Sequence, residues 1–227
     1  MHIFVTGTDT DVGKTVVTAG IAAVMQSLGY QAGVYKPFQS GAIERNGFYV
    51  SPDLAFVKKL DFYVETLCTY ILKEPAAPFI AAELERINID LENIVKDFNL
   101  IKRKCETVLV EGAGGLLVPV TQRETMADVI KMLNIPTVIV ARPDLGTVNH
   151  TLLTINQAEM MGIKIAGVII NKYPEDKDDV AIKTAPRLIE DYSNAKILGI
   201  IPAIKNFEYI KPVSYTHLRA HETSQDL

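Results

Sequence analysis

The residues richest in chemistry are Gly7-Thr8-Asp9-Thr10-Asp11-Val12-Gly13-Lys14-Thr15. They follow the apolar run Ile3-Phe4-Val5 and open an apolar-periodic stretch from Val16 to Leu28. Strand, glycine-bracketed loop and helix, in that order, make a phosphate-binding loop. Backbone N–H groups converge on an anion at the helix N-terminus, and the helix dipole adds partial positive charge. Lys14 is placed to reach the outer phosphates of a nucleotide, and the Thr15 hydroxyl to ligate Mg²⁺. Five residues separate Gly7 from Gly13, one more than in the common form of this loop. An ordinary Gly/Asp/Thr-rich turn leaves the lysine unexplained.

Further chemistry recurs after other apolar runs. In Tyr35-Lys36-Pro37-Phe38-Gln39-Ser40-Gly41, Pro37 fixes the backbone after Lys36 and Gly41 permits a tight turn. Lys36 reads either as a second cation facing a phosphate-transfer site, with the Ser40 hydroxyl near the substrate, or as a solvated lysine at a strand end. Asp53, in Ser51-Pro52-Asp53, falls in the first turn of a helix, where the dipole favours a carboxylate, so capping competes with metal ligation. Magnesium takes one or two carboxylates plus phosphate oxygens. The partner carboxylate is Glu111, at the tip of Val108-Leu109-Val110, and leaving it unpaired there is costly. Gly112, Ala113, Gly114 and Gly115 behind it let backbone approach phosphate. Asp144 to His150 offers a second anion site, suited to a carboxylate, or an ordinary N-cap by Thr147 or Asn149. Asn171 and Pro202 each follow a strand, and an amide at that edge can pair with adenine.

The elements that must position these residues are short β-branched runs at Ile3–Thr6, Ala32–Tyr35, Thr107–Val110, Thr137–Val140, Ile165–Ile170 and Ile197–Ile201. Helical spacing covers Val16–Leu28, Pro52–Leu60, Leu91–Lys102, Thr125–Leu133, Leu152–Met161 and Val180–Tyr192. Near-continuous apolar strands alternating with helices predict an α/β three-layer fold: a mostly parallel central sheet with helices on both faces. Functional residues then gather beyond the carboxyl ends of the strands.

The chain has 227 residues, 48% of them hydrophobic, enough to bury one full core. A net charge of −4 with no basic block argues against extended nucleic-acid binding. Cys68 and Cys105 lie far apart without a metal-binding pattern, which predicts reduced thiols. With no leader-like start and no apolar run near 18 residues, the expectation is a cytoplasmic protein without a membrane span. One domain is expected over residues 1–212. Residues 213–227 lose the apolar period and read as a non-native tail resembling translated vector sequence, and His217 and His221 in it lack a third metal ligand.

Taken together, Gly7–Thr15, Tyr35-Lys36-Pro37 with Ser40-Gly41, Val110-Glu111-Gly112-Ala113-Gly114-Gly115 and Leu145-Gly146-Thr147-Val148-Asn149-His150 closely resemble the dethiobiotin synthetases, from Ile3 to about Tyr209. The resemblance implies a P-loop NTPase-like fold and a cytoplasmic homodimer. It implies ring closure of 7,8-diaminononanoate with CO₂, using ATP as co-substrate and Mg²⁺, through a carbamate and a carbamic-phosphoric anhydride. It puts Asp11, Val12, Gly13, Lys14, Thr15, Val16 and Gly112–Gly114 on ATP, and Thr15, Asp53 and Glu111 around Mg²⁺. Lys36, with Lys14, matches the catalytic lysines; Thr10 and Ser40 match substrate contacts. Gly146, Thr147, Val148 and Asn149 match a loop that binds the substrate carboxylate across the dimer. Asn171, Pro202, Ala203 and Ile204 match positions flanking adenine. Asp11 stands where many relatives have glutamate, and Phe79 where they usually have histidine. Two other classes share parts of this pattern. Positioning or partitioning ATPases carry an additional lysine early in the loop, where Thr8, Asp9 and Thr10 stand here. ATP-dependent amidases need a glutaminase cysteine in a glycine-rich elbow, which neither Cys68 nor Cys105 has.

Overall fold

Alternation along each strand sorts side chains onto two faces, and both must be covered. In strand β1 (His2–Gly7) Phe4 and Val5 are fully buried on opposite sides. The computed structural model describes residues 1–174 and 179–204, so the expected tail from residue 213 lies outside the described residues. In chain order the elements are β1, helix α1 (Lys14–Ser27), β2 (Ala32–Gln39), β3 (Ile43–Arg45), β4 (Phe48–Val50), α2 (Pro52–Leu60), β5 (Glu65–Ile71), α3 (Pro78–Glu85) and α4 (Leu91–Lys102). There follow β6 (Thr107–Gly115), α5 (Met126–Leu133), β7 (Thr137–Ala141), α6 (Thr147–Met160), β8 (Ile165–Tyr173), α7 (Val180–Asp191) and β9 (Ile197–Pro202).

Among the described residues, seven strands form one sheet in the order β5-β2-β6-β1-β7-β8-β9, and every pairing in it is parallel. One face packs Phe4, Tyr35, Val108 and Val110 against Ile94 and Phe98 of α4 and Met126 and Ile130 of α5. The other packs Val34 and Leu109 against Ala19 and Ala22 of α1 and Leu54 and Val57 of α2. The expected three-layer architecture is therefore present. The chain leaves β1 towards β2 on one side and reaches β7 on the other, so β1 and β6 flank the crevice where such sheets bind ligands.

The strands outrun the expected ends. β2 continues from Tyr35 through Lys36 to Gln39, and β6 from Val110 through Glu111 to Gly115. The cause is lateral: β2 is held from both sides up to Tyr35, and past Pro37, which has no N–H, β5 alone extends its ladder. Helix α6 starts at Thr147 rather than Leu152, capped by Gly146 in a left-handed conformation, so neither Thr147 nor Asn149 is the N-cap.

Four elements add to the sequence reading. Among the described residues β5 pairs only with β2 and forms the sheet edge. Helix α3 follows the Pro75–Pro78 segment. The hairpin β3–β4 turns through Asn46 and Gly47 at φ 53° and 80°, an Asn-Gly signal of the kind two-residue hairpins require.

Candidate active site

The phosphate loop is shaped by backbone geometry that only some residues tolerate. Gly13 lies at φ 92°, and a Cβ there would fall 2.0 Å from Asn171 Nδ2, so glycine is required twice over. Gly13 is also the N-cap of α1, and no side chain caps that helix. Its first amides therefore remain available to an anion. The Lys14 ammonium donates to the Asp9 carbonyl at 2.9 Å. Burial, reinforced by the neighbouring Lys36 charge, lowers the Lys14 pKa to about 8.

Beside the loop sits a cluster drawn from four elements, with Lys36 and Glu111 buried and Thr15 and Asp53 half-buried. Thr15 of α1 donates to Glu111 Oε1 at 2.8 Å, and Lys36 of β2 donates to the same oxygen at 2.7 Å. Lys36 also pairs with Asp53 of α2. Burial disfavours the Lys36 ammonium, but Glu111 and Asp53 outweigh it and hold its pKa above the ordinary lysine range. The solvated-lysine alternative is thereby removed, since Lys36 is only 4% exposed. Asp53 stays in the first turn of α2, but another residue supplies the side-chain cap. Ser51 caps α2, accepting from the Leu54 N–H, and leaves the Asp53 carboxylate to Lys36.

Glu111 Oε2 is buried without a hydrogen-bond partner, a costly state for a carboxylate oxygen. Together with the Thr15 hydroxyl and Asp53 it makes a set of hard oxygen donors, the chemistry that suits Mg²⁺. The residues thus fit the ion.

A cleft of about 930 Å³ opens over this cluster. Thr10, Asp11, Gly13, Lys14, Thr15, Val16, Lys36, Ser40, Asp53, Glu111, Gly112, Ala113, Gly114, Asn171, Pro202, Ala203 and Ile204 line it, so nearly every expected residue converges. Val12 does not; it is buried in the core beneath the loop. The Ser40 hydroxyl is buried and unpartnered at the cleft wall. Two further polar lining residues, given no role by the sequence, brace the site. Gln39 donates to the Ser40 carbonyl at 2.8 Å and accepts from the Ser51 hydroxyl, which ties the Ser40 turn to the cap of α2. Lys172 donates to the Asp11 carbonyl at 2.6 Å. A buried polar residue beside Ser40 was the available signal for Gln39; Lys172 offered none.

A family described as an AAA domain matches residues 1–211. The chain is 41% identical over 203 residues to the ATP-dependent dethiobiotin synthetase BioD of Bacillus subtilis (strain 168), covering 89% of this chain and 87% of that one. It is 38% identical over 208 residues to the protein of the same name from Anoxybacillus flavithermus, covering 91% and 93%. The chain belongs to the dethiobiotin synthetase family.

Solved structures add the fold alone. The MinD cell division protein of Aquifex aeolicus superposes with a TM-score of 0.55 at 18% identity, covering 90% of this chain and 83% of that one. A ParA family ATPase from Chlorobium tepidum superposes with a TM-score of 0.53 at 13% identity, covering 88% and 83%. The positioning ATPases thus share the architecture, while the sequence relationship favours the dethiobiotin synthetases. One group of residues matched to that family stays apart: Gly146 to Asn149, at the start of α6, are not among the residues lining this cleft. Leu145 beside them is 85% exposed.

Proposed function

We propose that this chain closes the ureido ring of dethiobiotin from 7,8-diaminononanoate and CO₂ with ATP and Mg²⁺. The observation that carries the reading is the Lys36–Glu111–Asp53–Thr15 cluster at the mouth of an uncapped phosphate loop. One amine of the diamine attacks CO₂, forming a C–N bond and, after losing a proton, a carbamate. A carbamate oxygen attacks the γ-phosphorus, and ADP leaves. The second amine attacks the carbonyl carbon of the resulting carbamic-phosphoric anhydride, phosphate leaves, and the ring closes.

Phosphoryl transfer of this kind needs alignment and charge neutralisation more than covalent help. Lys14 and the loop amides hold the triphosphate. Thr15, Asp53 and Glu111 would hold Mg²⁺, which when bound would neutralise charge on the phosphates. The Lys36 ammonium lines the same cleft and would offset charge on the transferring group and the carbamate. Ser40 and Thr10 orient the diamine, with the buried Ser40 hydroxyl supplying an unused donor at the wall. Asn171, Pro202, Ala203 and Ile204 flank the base.

Gly146–Asn149 take the substrate carboxylate in the cleft of a second copy, so the working unit is a homodimer. Their position outside this chain's own cleft supports that reading. Sedimentation at micromolar protein tests it, and a monomer that is fully active would contradict it. Among the described residues no helix is long and apolar enough to cross a membrane. Location in the cytoplasm, and a single domain through residue 212 followed by a non-native tail, belong to the same proposal. The source gene is the check on the tail: an identical reading frame through Leu227 would contradict it.

The deciding experiment incubates the protein with diaminononanoate, bicarbonate and Mg·ATP. Dethiobiotin, identified by mass, forms in step with ADP. ADP without dethiobiotin would favour a switch ATPase, and no turnover would contradict the enzyme.

A further inference from the structure

Successive side chains of a regular strand face opposite sides of the sheet. At the end of β8 that rule is broken. Asn171 Nδ2 donates to the Val12 carbonyl at 3.0 Å, and its neighbour Lys172 donates through Nζ to the Asp11 carbonyl at 2.6 Å. Two consecutive residues on β8 thereby grip two consecutive carbonyls of the phosphate loop. The device that allows it is visible in the backbone. Lys172 sits at φ 60°, and the ladder between β8 and β9 shifts register between Ile170 and Tyr173. Bulges re-aim side chains in this way, and a non-glycine residue in the left-handed region carries strain that surrounding contacts must hold in place.

The grip has a consequence for the loop amides. A trans peptide points its carbonyl and the following N–H in opposite directions. Holding the Asp11 and Val12 carbonyls toward β8 turns the N–H groups of Val12 and Gly13 away from it. Asp11 at φ 58° is the strained position that this arrangement has to maintain, and Gly13 at φ 92° is one that glycine tolerates. Among the described residues, these two tethers are the hydrogen bonds that hold the Asp11 and Val12 carbonyls. Lys172 donates from a cationic ammonium, so its hydrogen bond to the carbonyl is of the stronger, charge-assisted kind.

We propose that Asn171 and Lys172 form a clamp that pre-sets the phosphate loop for its anion, and that Lys172 is a positioning residue for the triphosphate. The inference rests on nucleotide binding at this loop and is independent of the ring-closing chemistry. A pre-organised loop binds more tightly because less order must be gained on binding.

The test compares the parent chain with Lys172→Met and Lys172→Arg. Amide hydrogen exchange is followed over residues 11–16 in the nucleotide-free protein, and Mg·ATP affinity is measured by calorimetry. Lys172→Met should speed exchange of the loop amides and weaken ATP about tenfold, the loss expected when a charged hydrogen bond goes. Turnover at saturating ATP should stay within about threefold of the parent, so the effect falls on KM rather than kcat. Lys172→Arg should restore both readouts. Weaker ATP binding with unchanged loop exchange would mean that Lys172 touches the nucleotide directly, and would overturn the clamp. Faster exchange with unchanged affinity, or no change in either, would also overturn it. A parent chain that binds no ATP would overturn both the clamp and the functional reading.

Discussion

Replacing Lys36 with methionine removes the cation shared by Glu111 and Asp53. Glu111 is only 1% exposed, so in the unliganded protein its charge would lose its neutralising partner inside the core. Deleting one member of a buried ion pair costs about 3–5 kcal/mol. The Asp53 side chain is 28% exposed, so water screens its share and the lower end of that range is expected. In a domain of this size each kcal/mol moves the melting temperature by about 2–4 °C, which gives a fall of about 6–12 °C at 3 kcal/mol. Mg²⁺ with ATP should recover most of the fall, because in the proposed site the ion would take over the same carboxylates. Turnover should not recover, and should drop by about 10²–10³ as for loss of one preorganised charge-stabilising donor. Scanning calorimetry with and without Mg·ATP, beside a dethiobiotin rate assay, reads both effects. Lys36→Gln repeats the test with the packing largely kept. An unliganded variant melting within about 2 °C of the parent, or closing rings near the parental rate, would refute the reasoning.

Further outcomes follow from the same geometry. Asp53→Ala and Glu111→Ala should each raise the Mg²⁺ concentration needed for half-maximal turnover; unchanged metal dependence would remove them from the ion. The free Lys14 amine, with its pKa lowered to about 8 from 10.5, is largely neutral at pH 9, and a bound triphosphate should restore its proton. Calorimetry in buffers of different ionisation enthalpy should therefore show proton uptake on ATP binding at pH 9 and almost none at pH 6.5; equal uptake at both would contradict it. Because the unfolded chain holds the Lys14 proton up to 10.5, this group should make unliganded stability rise with pH between about 8 and 10.5. Gly13→Ala should abolish nucleotide binding, since its Cβ would collide with Asn171 Nδ2 at 2.0 Å; retained ATP affinity would contradict the loop geometry. Gln39→Leu should raise KM for the diamine and the Mg²⁺ requirement together, because Gln39 braces both Ser40 and the cap of the helix bearing Asp53; a change in neither would leave it as packing.

Much of the site is legible because it interrupts the pattern that predicts the fold. Lys36 and Glu111 stand out as charges inserted into otherwise apolar buried strands, and Gly13-Lys14-Thr15 as a polar knot between a strand and a helix. The choice between capping and metal ligation at Asp53 is not legible, because both put a carboxylate in the first turn. The structure shows that Ser51 supplies the side-chain cap and that Asp53 faces Lys36. Edge strand β5, Glu-Thr-Leu-Cys-Thr-Tyr-Ile, is half-buried and partnered on one side, which dilutes its apolar signal. The early start of α6 hides behind a glycine N-cap, which leaves no side-chain capping signature. Lys172 is least legible of all. Its partner carbonyl lies 161 residues away, and the left-handed backbone that aims it leaves no mark on residue type.

In the proposed enzyme one triphosphate terminus is met by a divalent ion on Thr15, Asp53 and Glu111 and by the Lys36 ammonium. A crystal structure with diaminononanoate, Mg²⁺ and a non-hydrolysable ATP analogue tests it most directly. The ion should lie among those three side chains, with Lys36 Nζ within hydrogen-bonding distance of the γ-phosphate or the substrate. Lys36 still locked between Asp53 and Glu111, with the nucleotide bound and the ion elsewhere, would contradict the account.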